Sequence, residues 1–180
     1  MKKEPNIHVR EIEVRDIDLL ADYWFQSSKE HLLGMGADPE KLPPRKNLVA
    51  MLAQQIATPL NEKQSYALIW ELDGKAVGHT NVNQISFGKQ AYMHLHLWKP
   101  IHRNKGLGTA LVKHSLPYFF DGLQLEVLYC EPYALNPAPN STLKRLGFVF
   151  VKKHITIPGS INFEQVVNLW KLPRAKYLEL

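Results

Sequence analysis

Two runs of aromatic and aliphatic residues, Ser65 to Leu72 and Lys75 to Ile85, are separated only by Asp73-Gly74. A two-residue connection of that type puts positive φ at both positions and folds the runs back on each other as a hairpin. A third run, Ala91 to Trp98, follows Gly88. The middle of the chain is therefore a three-stranded antiparallel meander, and the remaining segments have to cover it.

The flanking segments supply that cover. Ile7, Val9, Ile12 and Val14 predict a half-buried strand with an irregularity at its centre. Asp16 reads as the N-cap of a helix from Ile17 to Phe25, and Leu48, Met51, Leu52, Gln55 and Ile56 mark a second helix over 45–57 that Pro59 ends. Past the meander the pattern predicts a helix over 107–120, kinked or ended by Pro117, a strand over 123–130 and a short helix over 139–146. Two strands, 148–155 and 164–172, complete it. The order is that of a mixed α/β sheet of six or seven strands, antiparallel at first, with helices on its faces. At 180 residues, with 45% apolar and 22% charged side chains, the chain is expected to form one domain over residues 1–180.

Composition narrows the partners. No apolar segment approaches the roughly 20 residues of a membrane span, and no apolar stretch follows the charged N-terminus as in a secretory signal. With Cys130 as the single cysteine, a cytoplasmic protein is expected. The net charge of +5 suits an anionic ligand, but no run of five like charges occurs, so nucleic acid is not an expected partner.

The anion has an evident place. Gly106 and Gly108 open the helix that follows the meander, preceded by His102-Arg103-Asn104-Lys105. Glycine lets the backbone approach a ligand, and the unpaired N–H groups and dipole of a helix start attract phosphate. The Walker spacing is absent. A dinucleotide fingerprint fits Gly106 and Gly108 but fails at Leu111, although Glu126 lies about 20 residues on. A glycine turn that merely starts a helix is the plain alternative.

Arg103-x-x-Gly106-x-Gly108, together with Asn136 and Gly147-Phe148 eleven residues later, resembles the paired signatures of the GNAT superfamily of N-acetyltransferases. The resemblance spans residues 7–172, with its specific residues in 91–148. It implies a mostly antiparallel sheet with a central splay between two parallel strands. Acetyl-CoA would lie there against Leu97, Trp98 and Lys99 on one side and Leu128 to Cys130 on the other. Main-chain groups of Arg103, Asn104, Lys105, Gly106, Leu107, Gly108 and Thr109 would hold the pyrophosphate. Asn136 would bond the pantetheine and Asn140 would lie alongside, unless Asn140 is only a helix N-cap. The reaction implied is direct transfer of acetyl to a primary amine, on a small molecule or a protein N-terminus.

An alkylammonium is mostly protonated at neutral pH, so a base is required. Glu131, five residues before Asn136, stands where some relatives carry a catalytic Glu. His96 is the second candidate: His94 and His96 share one face of the third meander strand, where a histidine pair satisfied by its neighbours is the plainer reading, preferred for His94. No metal is expected. Many relatives place a Tyr acid seven residues after the Asn, where this chain has Leu143, which leaves Tyr133 and Tyr129 as the nearest phenols. The substitution motivates a second reading, a non-catalytic acyl-CoA-binding or sensory domain. For the acceptor pocket the resemblance points to Trp24, Phe25, His31, Met35, Asp38 and Phe163, with Asp38 before Pro39 also an ordinary turn residue. Homodimer formation stays open.

Overall fold

The computed structural model describes residues 5–102 and 106–180. Seven strands form one sheet in the order β1-β2-β3-β4-β5-β7-β6. They are β1 (Ile7–Glu11), β2 (Ser65–Leu72), β3 (Lys75–Ser86), β4 (Gln90–Leu97), β5 (Val127–Cys130), β6 (Val149–Thr156) and β7 (Gln165–Pro173). The meander is as expected: Asp73 and Gly74 take φ of 49° and 75°, and β2, β3 and β4 pair antiparallel. β4 and β5 are the parallel pair, joined by a helix, so the glycine loop does open a βαβ unit. The dinucleotide fingerprint still fails, because Leu111 is wholly buried in the core.

The helices are α1 (Ile17–Gln26), α2 (Lys29–Gly34), α3 (Arg45–Ala57), α4 (Leu107–Pro117), α5 (Pro137–Arg145) and α6 (Arg174–Tyr177). Two apolar clusters lie on opposite faces of the sheet. Leu111, Val112 and Leu116 of α4, with Phe119 and Phe120, pack on Tyr66, Leu68, Trp70, Val82 and Met93. A fully buried side chain of this size contributes about 1.5–3 kcal/mol. The Trp70 indole donates to the Ser115 hydroxyl at 2.9 Å, which satisfies the one polar atom it brings inside. On the other face α1 and α3 cover Ala67 and Ile69 with Ile17, Leu20, Ala21, Leu48 and Leu52.

Several boundaries differ from the sequence expectation. β1 stops at Glu11, and Val14 is exposed in a short turn. Asp16 does not cap α1 through its side chain. The carboxylate turns back to accept from the Glu13 N–H at 2.8 Å and from the two terminal nitrogens of Arg10 at 2.6 and 2.8 Å. Burial alone would push this carboxyl up; the Arg10 hydrogen bond, the Glu13 N–H and the nearby positive charge outweigh it, and it titrates below its ordinary range. The helix over 107–120 is α4 as far as Pro117, after which the chain widens into a π turn over Tyr118–Gly122. Of the strand over 123–130 only Val127–Cys130 is strand. α2 and α6, of six and four residues, are too short to show periodicity. Met51 belongs to α3 but is exposed, not packed in its core.

Candidate active site

The parallel pairing of β4 and β5 runs only from Gln90/Val127 to Tyr92/Tyr129, where the two tyrosine rings stack at 5.2 Å. The last link is the Cys130 thiol donating to the Met93 carbonyl at 3.0 Å. Beyond it the strands part. β4 continues to Leu97 paired only with β3, while the chain after β5 stays with β7: the Asn168 N–H donates to the Pro132 carbonyl, and Tyr133 bridges Val167. Pro132 sits where pairing with β4 ceases, and a residue without an N–H loses no ladder bond there. The splay therefore opens one step later than expected. Leu128 and Tyr129 are still paired with β4, and the gap lies between Met93–Leu97 and Glu131–Tyr133.

A cavity of about 380 Å³ begins at this gap and runs beneath α1 and α3. Met93, Leu95, Cys130, Glu131, Pro132, Tyr133 and Asn136 form its entrance. Its floor is the sheet face carrying His79, Asn81 and Asn83 of β3 and His94 and His96 of β4, where His79 is paired with His96 and Asn81 with His94. Leu20, Trp24, Met35, Leu42, Leu48, Met51 and Leu52 make an apolar roof, and residues 158–162 close one side. Of the residues first assigned to the acceptor pocket, Trp24 and Met35 line it; Phe25, His31, Asp38 and Phe163 do not. Asp38 is the turn residue, accepting from the Glu40 N–H at 3.0 Å. His79, Asn81 and Asn83 were missed, although polar residues at alternate positions of a buried strand are a legible signal.

The floor is densely wired and uncharged. His79 and His96 stack at 4.5 Å, and the Trp98 indole donates to His79 Nδ1 at 2.8 Å. The Tyr23 hydroxyl lies 3.3 Å from His96 Nδ1 and 3.2 Å from His31 Nε2. Burial pushes His79 down to about 3 and His94 down to about 4. Burial, and then the neighbouring imidazoles, hold His96 well below its ordinary value. All three rings are neutral at pH 7. Asn83 Oδ1 and His94 Nε2 are buried with no hydrogen-bond partner.

Among the described residues Glu131 is the only carboxylate that lines the cavity, and none of them lining it is a Lys or Arg. Its Oε1 lies 3.2 Å from His154 Nε2 on β6. His154 Nδ1 is buried without a hydrogen-bond partner.

The other site residues divide clearly. Gly106 caps α4 at φ 74°, and a side chain there would meet open space; Thr109 lies in the first turn, its N–H donating to the Gly106 carbonyl at 3.1 Å. Leu107 packs its side chain on the core. Gly108 is close to Thr142 of α5. Arg103, Asn104 and Lys105 lie outside the described residues. Leu97 and Trp98 pack against the two apolar clusters, and Lys99 is exposed. Asn136 is the N-cap position of α5 and lines the cavity. Asn140 is not an N-cap. Its amide N–H groups donate to the Tyr133 and Asn136 carbonyls, and its oxygen accepts from Asn168 and the Trp170 indole. Gly147-Phe148 is a helix stop: Gly147 takes φ 79°, and the Phe148 N–H returns to the Leu143 carbonyl at 3.1 Å.

The sequence profile of the acetyltransferase (GNAT) family matches residues 19–148. The chain belongs to the GNAT acetyltransferase family. As a member it is an N-acetyltransferase with acetyl-CoA as its co-substrate. A search of curated protein sequences returns no significant match. Among solved structures, the chain is similar to the Vibrio cholerae spermidine N-acetyltransferase in complex with CoA and spermine (TM-score 0.77, 19% identity, 96% of this chain and 98% of that one). It is also similar to RimL, a ribosomal L7/L12 alpha-N-protein acetyltransferase in complex with CoA (TM-score 0.74, 13% identity, 93% of each chain). Among the described residues no helix is long and apolar enough to cross a membrane.

Proposed function

We propose that the chain acetylates a primary amine at the β4/β5 splay, with Glu131 as the base. The supporting observation is the placement of Glu131, the single carboxylate of the cavity, where the two strands part. On this reading acetyl-CoA enters past Gly106 and Gly108, and its acetyl end reaches the gap beside Asn136. The neutral amine forms a bond to the thioester carbon, the C–S bond breaks, and the thiolate leaves as its electron pair moves to sulfur. Glu131 takes the proton released from nitrogen. Holding amine and thioester together in a cavity closed by the roof supplies much of the rate. His96 is the weaker base. Its ring is deep in the floor, and a group titrating far below neutrality gains little as a proton acceptor at pH 7.

Acetyl-CoA is expected to raise the melting temperature, and amines are expected to trigger release of the CoA thiol. Glu131→Gln should lower kcat/KM about 10²–10⁴-fold while keeping the thermal shift. Absence of any shift with saturating acetyl-CoA would overturn the reading at its first step. Full activity in Glu131→Gln would remove Glu131 and leave the cavity.

A further inference from the structure

The uncharged floor points to a substrate class, an inference that rests on the transferase reading above. We propose that the acceptor is a monoamine with an uncharged, largely apolar body carrying one hydroxyl-like group, and not a polyamine. Three observations carry this. The cavity holds one carboxylate among the described residues, and the Glu131 that provides it is needed at the reacting nitrogen. A second ammonium deeper inside would meet Trp24, Met35, Leu52 and neutral imidazoles, with no counter-ion among the described residues. Burying a charge without a partner is strongly disfavoured, whereas the same methylene chain without the charge gains from the apolar roof.

The third observation is the pair of unpaired atoms. Asn83 Oδ1 accepts and has no donor; His94 Nε2 has no partner of either kind. Buried polar atoms are rarely left so, and both residues line the cavity. Asn83 is paired with Tyr92, and His94 is the next residue of β4 on that face, so the two are diagonal neighbours. A hydroxyl donates to the first and accepts from the second. β3 and β5 are two strand spacings apart, about 10 Å, where they are joined through β4, and further apart at Glu131, where β4 and β5 have parted. A chain of five or more carbons is then needed to reach from a nitrogen at Glu131 to a hydroxyl at Asn83 and His94.

The test is a matched series with acetyl-CoA and the wild-type protein, read by thiol release: 1-aminopentane, 5-aminopentan-1-ol, pentane-1,5-diamine, spermidine and a tripeptide with a free α-amino group. The amino alcohol is expected to show kcat/KM at least ~10-fold above the diamine and spermidine. Asn83→Leu should bring the ratio of amino alcohol to aminopentane close to one, with the acetyl-CoA thermal shift reporting an intact fold. Equal or better use of the diamine or spermidine overturns the proposal, as does a higher kcat/KM for the tripeptide. An unchanged ratio in Asn83→Leu overturns the hydroxyl assignment. If no amine releases thiol although acetyl-CoA binds, the transferase reading itself fails, an outcome distinct from a reversed ranking.

Discussion

Asn140 offers the sharpest test of how the site is supported. Its side chain ties α5 to two pieces: the segment after β5 through the Tyr133 and Asn136 carbonyls at 3.2 and 2.8 Å, and β7 through Asn168 and Trp170, both at 2.9 Å. Asn140→Asp keeps the accepting oxygen and replaces the amide nitrogen with a second oxygen facing two carbonyls. Two donated bonds are lost, at about 1 kcal/mol net each, and two part-buried carbonyls lose their donor in front of a like charge. The sum is about 3–5 kcal/mol at pH 8. For a chain of this length that is a fall in melting temperature of roughly 6–20 °C.

The loss should depend on pH with a definite sign. Protonated, the new carboxyl donates one bond to a carbonyl, so its pKa in the folded state lies above the unfolded value of about 3.9. Between those two values the folded state binds more protons, and stability falls as pH rises. The deficit is smallest below about pH 4 and reaches its full size above the folded-state pKa. Asn140→Ala loses the same donors without a titrating group and should show a flat deficit. Urea unfolding of the two variants and wild type at pH 5 and pH 8 makes the comparison. Unchanged stability together with weakened acetyl-CoA binding would refute the scaffold role and return Asn140 to the ligand.

Two further outcomes follow from buried polar pairs. Asp16, 1% exposed, is held below its ordinary range mainly against its own burial by Arg10, so the stability it contributes is present above about pH 4 and lost as pH falls through its folded value. Asp16→Asn should cost about 2–3 kcal/mol in urea unfolding at pH 7, less than an orphaned buried charge because Glu71 still pairs Arg10 at 2.8 Å, and its deficit should shrink in acid. At the splay, His154→Ala removes the imidazole whose Nε2 lies 3.2 Å from Glu131, and should lower kcat about 10-fold or more without weakening acetyl-CoA binding. His154→Gln, which offers an N–H donor, should recover part of that loss; equal rates in both variants would deny His154 a positioning role.

The parts legible in the sequence are those set by local rules. Asp73-Gly74 requires positive φ, Pro59 stops α3, and alternation marks the meander, so the sheet's first half and the glycine-started helix emerge directly. What failed was decided by tertiary partners. Asp16 had the residue type of a cap, but Arg10 six residues away offered a stronger partner than a helix N–H. Asn140 had the residue type of a cap, and β7, 28 and 30 residues further on, took its amide oxygen. The acceptor floor was hidden for a related reason. Each of its residues is an ordinary strand residue alone, and only the register of β3 on β4 places them together.

Leu143 shows why the chemistry left so few marks. The family resemblance puts a phenol at this position, yet Leu143 is wholly buried in the core shared with Leu111, Leu146 and Phe148, so the inward face of α5 serves packing. Tyr129 is stacked on Tyr92 and does not line the cavity, and Tyr133 is the one tyrosine that does among the described residues. An acid is not obligatory, because a thiol with pKa near 8.5 leaves as thiolate without prior protonation. Direct transfer then asks for a base, a positioned amine and main-chain donors. Only the first has to be a particular side chain, and in this chain the splay brings forward one candidate for it, Glu131. The remaining determinants are backbone geometry, which glycine and proline encode at Gly106 and Pro132, and cavity shape, which here discriminates between acceptors by leaving charge out.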